Sequence, residues 1–264
     1  MDTQEYVSPS VDLEPEDEKS PFDRFAEVFT APADAFAGLA QAKRGPIILW
    51  GLLIMVVASM FAAVIFSTND EMRETAKDKQ IEQFDKMRDE GKISEEQYEQ
   101  QVEMMDTMMS GTMFMIWGLV GASIGSTLFA LLIGLIVFIL IKVLGRDGEA
   151  GTGYAAALAA TLIAFMITNV ESIITVVGMM LTGNMEFRLS PVLFGAPDNE
   201  WVKFFLNLIN PFTIWFWFAL GTGVAVLSRA ERTKSIIAVA AVWIIGGLII
   251  TGIGSIFGSM SFGS

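Results

Sequence analysis

The sequence predicts an all-α polytopic membrane helix bundle: five transmembrane helices, an N-terminal amphipathic interfacial segment and an exterior helical hairpin. Three observations carry that reading. Pro46 to Phe66, Met113 to Ile141, Phe204 to Ser228 and Ser235 to Ser264 contain no Asp, Glu, Lys or Arg. Ala150 to Met185 contains a single charge, Glu171. Apolar residues make up 53% of the chain, too many for one water-soluble domain and suited to a bundle wetted by lipid. Hydrocarbon about 30 Å thick is crossed by roughly 20 apolar helical residues. The five runs therefore read as spans at about 46–67, 113–143, 153–181, 205–228 and 235–257.

Ahead of the first span, residues 1–20 hold seven acids and one Lys. Acidic, Pro-containing and poor in apolar side chains, they are expected to stay disordered. Ser20-Pro21 then reads as a helix start, a hydroxyl cap followed by Pro at the first helical position. Phe22, Phe25, Phe29, Phe36 and Leu39 recur at helical spacing over residues 21–42, interrupted near Pro32. That pattern predicts two short amphipathic helices in the headgroup plane with the Phe face down. Packing against the cytoplasmic ends of the bundle is the alternative. No positively charged leader with a cleavage site opens the sequence, so the first span is expected to direct insertion.

Between the first two spans, residues 68–112 are helical by composition. Met72, Ala76, Phe84 and Met87 mark one stripe, and Glu82 with Lys86 forms an i,i+4 pair of the favourable order. Gly91 can end that helix in a left-handed conformation. Ser94 starts a second helix, with Gln97 completing a capping box; Tyr98, Val102, Met105 and Met109 form its apolar stripe. Ser110-Gly111 reads as a bend into the second span.

Orientation follows from where the bases fall, since basic span ends stay cytoplasmic. Lys43, Arg44, Lys142, Arg146, Arg229, Arg232 and Lys234 flank one side, against Arg188 and Lys203 in the short loop opposite. The long loop from Ser67 to Thr112 adds six bases diluted by thirteen acids. A cytoplasmic N-terminus and an exterior C-terminus are expected, as five spans require.

What chemistry remains is sparse. The chain has no Cys and no His, which removes disulfides, thiolate and imidazole chemistry and most zinc or copper sites. Net charge is −13, against nucleic acid and against polybasic attachment to anionic lipid. No HExxH, GxSxG or paired-carboxylate constellation occurs, so no enzyme, no catalytic residue and no cofactor is expected. The cluster Met104, Met105, Met108, Met109, Met113 and Met115 reads as an adaptable apolar helix face rather than a Cu(I) site. Gly145, Gly148, Gly151 and Gly153 read as a flexible turn, since no P-loop pattern accompanies them. Gly121 and Gly125 form a GxxxG expected to pack within the bundle, with dimerisation to a homo-oligomer as the alternative. Trp201, Trp215, Trp217 and Tyr154 read as interface anchors.

Glu171 is the sharpest residue, because ionisable groups inside spans are rare and default to a functional hypothesis. A helix starting near Tyr154 carries it about 25 Å along, towards the exterior. Counting outward from the turn between Lys142 and Tyr154 places Ser123, Ser126 and Thr127 level with it, beside Gly125. Those hydroxyls and Asn169 are its expected polar contacts. A structural acid and an ion, proton or substrate site both remain open.

Several passages resemble the Yip family of five-span membrane proteins, named for Ypt/Rab-interacting proteins, and particularly its prokaryotic branch. Phe25-Ala26-Glu27-Val28-Phe29-Thr30-Ala31-Pro32 with Ala35-Phe36 is similar to the family's amphipathic leading segment. Leu144-Gly145-Arg146-Asp147-Gly148 and Tyr154 resemble its turn between the second and third spans. Asn210-Pro211-Phe212-Thr213-Ile214-Trp215, continued by Leu220-Gly221, resembles the start of its fourth span. The resemblance covers roughly residues 22–258. The Asp-Leu-Tyr-Gly-Pro-type motif of eukaryotic members is absent, so Rab binding is not carried over, and Asn169 and Glu171 stand where relatives often show a Pro. The resemblance implies a membrane-organising, trafficking-like or adaptor role in a prokaryotic cytoplasmic (inner) membrane. Expected partners are the lipid bilayer and membrane or cytoplasmic proteins still unidentified; a small transporter or channel using Glu171 is the competing class.

Overall fold

The computed structural model describes residues 19–145, 153–184, 187–195, 197 and 199–260, with side chains to Gly252. The acidic tail up to Glu18 and the turn residues Arg146, Asp147, Gly148 and Gly151 lie outside the described residues. Ten α-helices and one 3-10 turn, with no strand, make up the described residues.

Two short helices come first, α1 (Pro21–Glu27) and α2 (Pro32–Phe36). Ser20 caps α1 as the sequence suggests, its hydroxyl and the Asp23 carboxylate exchanging bonds with each other's backbone N–H. The first span, α3 (Arg44–Thr68), runs to Asn69. Asn69 in turn caps α4 (Asp70–Asp89) by accepting from the Met72 N–H at 2.9 Å.

A hairpin joins α4 to α5 (Glu95–Met108). Gly91 adopts φ 69° at the turn, a left-handed conformation open to Gly at little cost. Ser94 and Gln97 form the capping box, and the Glu82–Lys86 pair is present at 2.8 Å. Met72 and Met105 are buried on the facing stripes, while Lys77 reaches Asp106 across the arms at 2.5 Å. Arg88 lies 4.5 Å over the Tyr98 ring.

The second span, α6 (Gly111–Leu144), and the third, α7 (Tyr154–Thr182), are antiparallel. Their register is close to that expected: Phe129 stacks on Phe165, and Phe138 meets Tyr154 edge-on. From Ala156 to Ile167 every residue of α7 is buried, which makes this helix the core of the bundle. Its Ala-rich surface lets neighbours approach closely. Gly51 of α3 and Gly134 of α6 sit where an added Cβ would meet Leu162 at 2.8 Å and Leu158 at 3.0 Å.

After α7 come the 3-10 turn Pro191–Phe194, α8 (Glu200–Leu208), α9 (Pro211–Ser228) and α10 (Arg232–Met260). The fourth span starts at Pro211 and not near 205 as the uncharged run suggested. Pro lacks an N–H and disfavours helix at the residue before it, so the chain breaks at Asn210. Residues before the break form the separate amphipathic α8. Its Phe204 packs where a Cβ on Gly247 of α10 would stand. α9 lies against α7, and α10 against the outer side of α9, where a Cβ on Gly221 would come 2.5 Å from the Ile236 Cα. Among the described residues, five helices are long and apolar enough to cross a membrane.

Candidate functional site

The N-terminal segment differs from the expected Phe-down raft. Phe25, Val28, Phe36 and Leu39 are buried in protein, whereas Phe22 and Phe29 stay exposed. Amphipathicity predicts that one face leaves water but does not say whether lipid or protein receives it. Here protein receives it, because α9 offers a slot: an added Cβ on Gly223 would lie 2.9 Å from the Phe36 ring. Trp215, expected as an interface anchor, donates its indole N–H to the Val28 carbonyl at 3.1 Å. Arg24, missed in the sequence, is 3% exposed and donates to the Ala35 and Ala37 carbonyls, each at 2.8 Å. These two oxygens lie at the end of α2, where unpaired carbonyls gather and a cation is favoured. Tyr154 likewise spends its hydroxyl inside the protein, donating to the Leu131 carbonyl at 2.8 Å.

At the other end of the bundle, where the hairpin and the α7–α8 connection lie, stands Glu171. Its Oε1 accepts from the Asn210 side-chain amide at 2.5 Å. Asn210 is itself buried, and its Oδ1 accepts from the Phe212 N–H at 2.9 Å as the cap of α9. The expected hydroxyl contacts are replaced by this one. Ser123 donates to the Leu119 carbonyl, while Ser126 and Thr127 both donate to the Ser123 carbonyl. In apolar surroundings a Ser or Thr hydroxyl readily returns to its own helix three or four residues back. Asn169 Nδ2 is buried without a hydrogen-bond partner. Gly121 and Gly125 do not seat another helix of this chain: nothing lies within 4 Å of a Cβ added at either. The internal packing expected of them is thereby corrected.

Glu171 opens onto a cleft of about 460 Å³. Thr168, Ser172, Thr175, Arg188 and Thr213 share its lining with the carboxyl group. The Arg188 guanidinium is within electrostatic reach of Glu171. The cleft thus offers an acid, a base and hydroxyls at one level. Among the described residues no cluster of three or more acidic, His or Cys side chains could hold a metal ion.

An all-α bundle with five apolar helices, a docked N-terminal segment and a polar cleft at its hairpin end defines a multi-pass membrane protein. The Yip1 domain family model matches residues 26–253, and the chain belongs to that family. No curated protein and no solved structure matches the chain.

Proposed function

We propose that this Yip1 domain protein is a non-enzymatic membrane-organising or adaptor protein that recruits protein partners to a prokaryotic cytoplasmic membrane. Its N-terminus lies in the cytoplasm and its C-terminus outside, following the distribution of bases. The observation that supports the adaptor role is the fastening of α1 and α2 to α9 through Trp215, Phe36 and Gly223. A partner seated on the outer face of this segment would bear directly on the transmembrane bundle. That face presents Phe22, Asp23, Phe29 and Asp34, all exposed, a mixture of aromatic and acidic side chains suited to a protein contact. Self-association remains a role for the outward Gly121–Gly125 face.

Proximity labelling in the native membrane, with the labelling enzyme fused to the N-terminus, tests the adaptor role. A defined set of neighbours should be lost in the Phe22→Ser/Phe29→Ser double variant while the protein stays membrane-inserted. An unchanged set of neighbours argues against the proposal. A second reading, a small transporter or channel, draws on the cleft at Glu171. Loss of a proton- or ion-coupled flux in Glu171→Gln, at unchanged thermal stability, would favour it.

A further inference from the structure

The polar cleft does not end at Glu171. Phe129 of α6 and Trp243 of α10 line it, and the same two rings line a second, apolar groove of about 400 Å³ between α6, α9 and α10. Leu132, Ile136 and Leu140 form one wall of the groove, with Val239 and Gly246 on the other. α10 touches α6 only sparsely and leaves this seam open along its length. From Phe129, level with Phe165, to Leu140, near the level of Tyr154, the groove extends about 16 Å along α6 at 1.5 Å per residue, away from the hairpin end and through the middle of the bilayer. The α9 helix begins at the level of Glu171 and has 18 residues, about 27 Å, close to the hydrocarbon thickness of about 30 Å. Glu171 and Arg188 therefore stand at the headgroup boundary, with an acyl-sized groove beneath them.

We infer that the joined cleft and groove bind one phospholipid whose headgroup carries both a phosphate and a primary amine. The phosphate meets the Arg188 guanidinium, a donor set matched to phosphate oxygens. The ammonium meets the Glu171 carboxyl group, of which Asn210 engages only Oε1. Ser172, Thr175 and Thr213 supply hydroxyls to the remaining headgroup oxygens, and an acyl chain fills the seam between α6 and α10. Charge complementarity selects the headgroup. An anionic lipid without the amine leaves Glu171 facing a phosphate, and a choline lipid offers no N–H to it. This assignment is independent of any protein partner at the N-terminal segment.

The test uses the full chain in nanodiscs and in detergent, with phosphatidylethanolamine, phosphatidylglycerol and phosphatidylcholine as probes, read by native mass spectrometry and thermal stability. One phosphatidylethanolamine should stay bound, with affinity about ten-fold above either other lipid, a difference of about 1.4 kcal/mol. Arg188→Gln, in the loop after α7, should erase that preference without unfolding the protein. Gly246→Leu should do so from the α10 wall of the groove: nothing lies within 4 Å of a Cβ there, so the side chain enters the groove without displacing protein. Equal retention of all three lipids, a preference for phosphatidylglycerol, or a preference for phosphatidylethanolamine that survives both substitutions would overturn the assignment.

Discussion

Asn210 joins two helices with one side chain: its Oδ1 caps α9 at the Phe212 N–H, and its Nδ2 donates to Glu171 of α7. The carboxyl group thus fixes the depth at which the fourth span starts. Removing the acceptor leaves a buried amide N–H without a partner, at a cost of about 1–3 kcal/mol. Glu171→Gln keeps an acceptor and should melt within a degree or two of the parent. Glu171→Leu should be less stable by the cost of the stranded amide, and Asn210→Ala should lose about 1 kcal/mol more through the cap. Thermal unfolding in detergent checks the order. A Glu171→Leu protein as stable as the parent would rule out this role.

The docked N-terminal segment should open locally before the bundle does. Trp215→Phe removes the hydrogen bond to Val28, worth about 0.5–1.5 kcal/mol. Gly223→Leu drives a side chain into the Phe36 ring, and overpacking of this kind costs about 1–3 kcal/mol. Both should raise the cleavage rate of residues 21–42 by limited proteolysis several-fold while the five spans remain protected. Unaltered cleavage in both variants would mean that the segment is held by something else.

Sidedness has a direct readout, because the chain lacks cysteine. Thr30 and Glu96 are exposed on the N-terminal segment and the hairpin respectively. In intact cells a membrane-impermeant maleimide should label Glu96→Cys and spare Thr30→Cys. The reverse pattern would invert the proposed topology.

The hairpin should depend on pH at both extremes. Glu82 is held below its ordinary value of 4.5, chiefly by its hydrogen bond to Lys86. Its contribution is present above 4.5 and fades as pH falls through the lower folded value. Lys77 is raised above 10.5, chiefly by its bond to Asp106, and Tyr98 above 10.0, chiefly by its bond to Asp85. Their contributions are present below those values and fade as pH rises through the folded ones. Hydrogen exchange of α4 and α5, corrected for intrinsic rates, should show greatest protection between these limits. Protection unchanged from acid to alkaline pH would remove these contacts from the account.

Span number, the Ser caps and the hairpin were legible because their causes are local: a charge-free run, a Ser before a first turn, a Gly at a left-handed turn. Depth counting also worked between α6 and α7, where a short turn ties the two helices together. It failed for Glu171 because the partner lies on α9, separated from α7 by the long connection from Gly183 to Asn210, which fixes no register. Asn210 was visible in the sequence only as the first residue of the stretch that resembles the family's fourth span. Its second bond was not, since nothing local says where a spare amide N–H points. Of the Phe stripe, Phe25, Phe36 and Leu39 are buried in protein while Phe22 and Phe29 are exposed. The receiving slot at Gly223, almost two hundred positions on, belongs to tertiary packing alone.

The spans are unequal in length, and a bilayer has to meet that inequality. α6 has 34 residues and α9 has 18, about 51 Å against 27 Å at 1.5 Å per residue. Lipid beside the exposed residues of α9 faces a wall short enough to pull the leaflet of the hairpin end inward, while lipid beside α6 faces one it must climb or that must tilt. Such hydrophobic mismatch costs fractions of a kcal/mol per Å and sorts proteins among membranes of different thickness. The protein should accordingly dimple the bilayer on one flank only, and gather where lipids are thin or already bent.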